Sequence, residues 1–195
     1  MAKILDLKNK KECLKFIEDV SNGAVFAYPT EAVFGLGCDI NNKSSINKII
    51  ELKRRKVSKG LIVISDNIEK VRNLIDDNYF KLFVENNSNA VPTTWLCPAS
   101  KIVPEEITGG TKKIAIRITS HDISKLICKI LDLPIISTSA NISGDDPIIK
   151  QEDLEIYFRD NMDNIDYIID GLVGNSKKPS RILDLVSKDV IREGG

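Results

Sequence analysis

Histidine is almost missing from this chain of 195 residues: His121 is the only one. One histidine cannot supply a multi-histidine metal site, and its polar neighbours offer no readable Ser–His–Asp triad. The four cysteines, Cys13, Cys38, Cys97 and Cys128, contain no Cys-x-x-Cys pair. No metal site is therefore expected, and four reduced thiols of a cytoplasmic protein are. Net charge is missing too, since 28 Lys and Arg balance 28 Asp and Glu. That argues against a protein that coats nucleic acid, which would be basic overall, but leaves room for a local basic patch. No stretch approaches the ~18 apolar residues of a membrane helix. Asp6 and Lys8 interrupt the apolar start of the chain, so no signal peptide is expected. Nor is there a Gly-x-x-x-x-Gly-Lys-Ser/Thr motif, so a nucleotide site here would not be a P-loop.

What is present is an ordinary globular balance, 42% apolar and 29% charged, at a length that favours one domain over residues 1–195. Cys13, Leu14, Phe16, Ile17 and Val20 recur at helical spacing and predict a helix over 10–21, closed by Asn22-Gly23. Residues 24–28 read as a buried strand stopped by Pro29. Ser44 or Ser45 would cap a second helix carrying Ile46, Ile49 and Ile50 and ending in Lys53-Arg54-Arg55-Lys56. Further strands are predicted at 61–64, 93–97, 114–118, 134–136, 167–169 and 181–185. Helices are predicted within 67–87, over 122–131 and near 151–159, and a long loop over 98–112. The alternation implies an α/β fold with a mixed sheet.

Three segments carry chemistry. Residues 28–37 put a hydroxyl, a carboxylate and two glycines at a strand end, where ligands commonly bind in α/β sheets; as a plain strand-to-strand turn they would need no ligand. Lys53-Arg54-Arg55-Lys56 is either a solvated helix terminus that complements the macrodipole or a polyphosphate clamp. Ser137-Thr138-Ser139-Ala140-Asn141 through Gly144 delivers uncharged donors and acceptors at the end of a buried strand, suited to ribose, phosphate or carboxylate. As an ordinary polar turn it would need no ligand. The surroundings of His121 suggest a surface or helix-cap role.

Together with Pro92–Ala99, Ile114–His121 and Ser180–Leu185, these segments resemble the YrdC/TsaC family in order and spacing. The resemblance covers nearly the whole chain. Lys59-Gly60-Leu61-Ile62 and the short length resemble the single-domain branch; longer relatives carry an additional C-terminal domain. The resemblance implies a YrdC-like twisted, curved mixed sheet flanked by helices, with a concave basic cavity. It implies an L-threonylcarbamoyladenylate synthase, making threonylcarbamoyl-AMP and pyrophosphate from L-threonine, bicarbonate and ATP with Mg²⁺. Partner proteins would then transfer the threonylcarbamoyl group to tRNA, giving t6A. The alternative is a non-catalytic RNA- or tRNA-binding module. A carbamoyl-adenylate enzyme of hydrogenase maturation would be much longer.

Carried over from the family, Lys53, Arg55, Ser139 and Asn141 are the expected catalytic and nucleotide-binding residues, joined by Arg192. Thr30, Arg117 and Ser180 are the expected threonine contacts, with Arg117 on the carboxylate. Arg54 and Lys56 are expected to matter less. Two departures stand out. Asn89-Ala90-Val91-Pro92 replaces a usual Trp-Pro-Gly-Pro, and Ile64 stands where longer relatives carry histidine.

Overall fold

The computed structural model describes residues 2–87, 92–158, 164–176 and 178–194. Its strands are β1 (Lys3–Leu5), β2 (Phe26–Pro29), β3 (Phe34–Asp39), β4 (Ile62–Ser65), β5 (Thr93–Pro98), β6 (Lys113–Ile118), β7 (Ile135–Ser139), β8 (Tyr167–Ile169), β9 (Arg181–Asp184) and β10 (Val190–Arg192). They form one twisted mixed sheet in the order β1-β8-β2-β3-β7-β4-β6-β5-β9-β10. Pairs β2–β3, β3–β7, β7–β4 and β6–β5 are antiparallel, while β4–β6, β5–β9 and β2–β8 are parallel.

Helices cover both faces. On one face lie α1 (Lys10–Ser21) and α5 (Asp122–Leu131), whose Phe16, Val20, Ile127 and Leu131 pack with Phe26, Tyr28, Ile64 and Ile135. Phe16 meets the rings of Phe26 and Tyr167 edge-on, each at 5.2 Å, a geometry the aromatic quadrupole favours. The other face carries α2 (Lys43–Leu52) and α3 (Asp77–Asn86), through Ile46, Ile49, Phe80 and Phe83. Short helices α4 (Glu105–Thr108) and α6 (Gln151–Tyr157) complete the set.

Several local expectations need correcting. Pro29 does not stop β2 but closes it, one position beyond Tyr28 and past the last residue paired with β8. There its missing N–H breaks no ladder bond on that side. Asn42, not a serine, caps α2, its side chain accepting from the Ser45 N–H. That helix ends at Leu52, so the basic run follows the helix instead of lying on it. Lys53 is the C-cap. The Arg54 N–H reaches the Glu51 carbonyl (2.8 Å), the Arg55 N–H reaches that of Ile50 (2.9 Å), and Arg54 is left-handed at φ 46°. This is a Schellman closure with arginine where glycine is usual. Residues 67–87 hold a 3₁₀ turn, Glu69–Leu74, and then α3, and the 98–112 loop contains α4. Strands β1 and β10 have no counterpart among the predicted elements, and β3 is the strand that the turn reading of residues 28–37 implies. His121 does cap a helix: Ser124 N–H points to its Nδ1 at the start of α5.

Candidate active site

A cavity of about 280 Å³ opens where the β2–β3 turn, the end of β7, β6, Ser176 and residues 178–180 converge. Ile62 on its floor also packs against the α1/α5 cluster, so the cavity continues that face of the sheet beyond the helices. Seven of the eight expected residues line it: Thr30, Arg55, Arg117, Ser139, Asn141, Ser180 and Arg192.

Lys53 lies behind the wall and not on it. Only 1% of its surface is exposed. Its ammonium donates to the backbone carbonyls of Ser139 and Asn141, the latter at 2.6 Å, and approaches Ser139 Oγ at 3.5 Å. Burial, followed by the nearby Arg55 charge, lowers its pKa to about 7. The lysine thus ties the end of α2 to the end of β7. The tie is doubled by Ser143 N–H, which donates to the Lys53 carbonyl (2.9 Å).

Asn141 is held by two bonds from Nδ2, to the carbonyls of Ile142 (2.9 Å) and Asp145 (2.8 Å). Its Oδ1 is buried and has no partner. Tyr157 of α6 secures the same loop, accepting from Ile142 N–H (2.9 Å) and donating to Asp145. Arg55 folds back on its own segment, with Nε and Nη2 donating to the Gly60 carbonyl at 3.0 and 2.9 Å.

The other half of the cavity is a polar network. Arg117 Nη2 pairs with Glu31 Oε2 at 3.2 Å, and Nη1 donates to Ser180 Oγ at 3.1 Å. Ser180 Oγ also shares a hydrogen bond with the Thr94 hydroxyl, 2.8 Å away. Thr119 donates to Glu31 Oε1 at 2.7 Å. Burial would raise the Glu31 carboxyl, but Arg117 and the Thr119 hydroxyl outweigh it and hold it below its usual range. Arg192 donates to the Ser180 carbonyl at 2.8 and 3.2 Å. Burial lowers the Arg192 pKa, with the Arg117 and Arg55 charges adding to the effect. Three guanidiniums therefore share one field. Thr30 turns its hydroxyl to the Val33 carbonyl (2.7 Å), closing the β2–β3 turn.

Glu31, Thr94, Thr119 and Lys178 were not singled out from the sequence as site residues. Glu31 stood inside a flagged segment, yet nothing local links it to Arg117, 86 positions later. Ile64 is fully buried in the α1/α5 cluster. Asn89, Ala90 and Val91 lie outside the described residues. Among the described residues no group of three or more His, Cys, Asp or Glu could hold a metal ion. Among the described residues the cavity's one lining carboxylate, Glu31, is already taken by Arg117 and Thr119, so the donor set does not suit a resident Mg²⁺. No described helix is long and apolar enough to cross a membrane.

The family model named Sua5/YciO/YrdC, described as telomere recombination, matches residues 18–194. The chain belongs to this family. Family members with similar sequences include a threonylcarbamoyl-AMP synthase of Pseudoalteromonas atlantica, 40% identical over 181 residues, covering 91% of this chain and 95% of the relative. One from Vibrio campbellii is 36% identical over 191 residues, covering 96% of this chain and all of the relative. Among solved structures, P. abyssi Sua5 complexed with L-threonine superposes with a TM-score of 0.82 at 26% identity. That match covers all of this chain and 58% of Sua5. E. coli YciO shares the fold, with a TM-score of 0.79 at 22% identity over all of this chain and 96% of its own.

Proposed function

We propose that this chain condenses L-threonine, bicarbonate and ATP into threonylcarbamoyl-AMP and pyrophosphate in the cytoplasm, as one domain. The supporting observation is a single cavity whose two halves differ in chemistry. One half offers Arg55, Ser139 and Asn141, and the other offers Thr30, Ser180 and an Arg117–Glu31 pair. The first suits a polyphosphate and the second an amino acid. The threonine amine and bicarbonate form a carbamate with loss of water. A carbamate oxygen then attacks the α-phosphorus, and the P–O bond to pyrophosphate breaks. Transfers of this kind depend chiefly on positioning and on neutralising charge.

In this reading Arg55 and Arg192 meet the phosphates, and Ser139 and Asn141 orient the α-phosphate and carbamate. The unpartnered Oδ1 of Asn141 accepts from whatever N–H or O–H the substrates present. Lys53 supports Ser139 and Asn141 from behind while adding positive charge. Any Mg²⁺ arrives with the ATP phosphates as part of that substrate. Partner proteins then carry the threonylcarbamoyl group to tRNA. The deciding assay uses labelled bicarbonate and omits one substrate at a time. Label should enter an adenylate, and pyrophosphate should appear, only when all three are present. Salt-dependent RNA binding with no turnover would overturn the reading in favour of a binding module.

A further inference from the structure

One cavity must receive two anions, an amino-acid carboxylate and a polyphosphate, with several cations on its wall. Those cations are not equivalent. Arg55 and Arg192 are held by backbone carbonyls, dipoles that orient a guanidinium without cancelling its charge. Arg117 alone among the three arginines is held by a carboxylate, Glu31, at 3.2 Å, with side chains only 9% and 12% exposed. At that burial the pair interacts strongly and its net charge is zero.

We propose that Glu31 sorts the two anions: by neutralising Arg117 it reserves that guanidinium for a singly charged carboxylate, and it leaves the polyphosphate to Arg55 and Arg192. This rests on reading Arg117 as the site of the threonine carboxylate. An unneutralised Arg117 would draw the more highly charged ligand, because Coulomb attraction scales with ligand charge. Discrimination then needs an element that penalises the wrong ligand, and a fixed carboxylate beside the guanidinium is one.

Glu31 is built to stay in place. The Thr119 hydroxyl donates to its Oε1, and the Ser176 N–H donates to its backbone carbonyl at 3.0 Å. Residue 174 packs so close that a Cβ there would lie 2.6 Å from the Glu31 carbonyl oxygen. The charged or titratable groups coupled to the Glu31 carboxylate include Arg117, His121 and the buried Tyr28 hydroxyl. Burial lowers the His121 pKa, and Arg117 acts on the carboxylate more strongly than His121 does.

The test is threonine binding by calorimetry with and without inorganic pyrophosphate, on the wild-type chain and Glu31→Gln. Glutamine keeps the shape and an acceptor for Thr119 while removing the charge. Pyrophosphate should weaken threonine binding about tenfold or more in the variant, and less than about twofold in wild type. Equal effects in both would sink the proposal. Thr119→Val provides a second test that keeps the carboxylate. Loss of that hydrogen bond raises the Glu31 pKa, so pyrophosphate competition should begin at a higher pH than in wild type as the solution is acidified. An unchanged onset overturns the sorting role. If the wild-type chain makes product from its three substrates while Glu31→Gln shows no competition, only the sorting falls. If threonine fails to bind the wild-type chain at all, both readings fall.

Discussion

Lys53 has two roles that pull in opposite directions. Its ammonium satisfies two backbone carbonyls at the end of β7, which favours the charged form, while burial and Arg55 favour the neutral one. With a pKa of about 7 in the folded chain, the charge is present below neutrality and lost above it. The catalytic efficiency for ATP, which reports the free enzyme, should therefore fall as pH rises through about 7, and Lys53→Met should lack that limb. The effect on stability has the opposite sign. Between about 7 and the ordinary lysine value of 10.5 the unfolded chain binds the extra proton, so folding gains as pH rises across that window. Lys53→Ala should also lose stability, by about 1–3 kcal/mol in urea denaturation, because buried carbonyls lose their donor. Arg55→Ala removes a cation from the wall and frees only the half-buried Gly60 carbonyl and the exposed Lys59 carbonyl. Its pyrophosphate release should drop by about 10²–10³ with stability nearly unchanged.

At the scale of elements, β3 shows why a strand can hide. Phe34-Gly35-Leu36-Gly37-Cys38-Asp39 contains two glycines, which weaken a strand on propensity alone. They are there because β2 lays aromatic rings across them. A Cβ on residue 37 would sit 2.6 Å from the Phe26 ring. Gly37→Ala should thus destabilise the chain by about 1–3 kcal/mol through overpacking, measurable as a lowered urea midpoint at unchanged slope. The α2 terminus predicts the reverse. Arg54 occupies a left-handed position that suits glycine, and it lies outside the cavity wall. Arg54→Gly should keep turnover and shift stability by no more than about 1 kcal/mol, upward where strain relief exceeds the added freedom of the unfolded chain. A large loss of turnover would show that Arg54 belongs to the site.

The whole molecule is one sheet with a core on each face, and the cavity lies where its central strands end. Both cores draw on strands from the start, the middle and the end of the chain. Unfolding should accordingly be a single transition. Fluorescence from Trp95, the one tryptophan, buried in β5, should report the same midpoint as far-ultraviolet circular dichroism. Two separated midpoints would break the one-domain reading.

The residue order alone was enough for the α/β class, for α1 and α5, and for most central strands, because apolar periodicity is a local property. The family resemblance, carried by short contiguous motifs, also pointed to seven of the residues that line the cavity. The tertiary structure alone decided three further points. Lys53 stands behind the wall and Arg55 on it, although only Arg54 separates them, because the left-handed turn at Arg54 reverses the chain. Strands β1 and β10 exist because β8 and β9 are there to pair with; three residues apiece carry no readable period of their own. Glu31 belongs to Arg117 because β2 and β6 end at the same cavity, and the attraction between two buried charges depends on their distance in space, not on their separation along the chain.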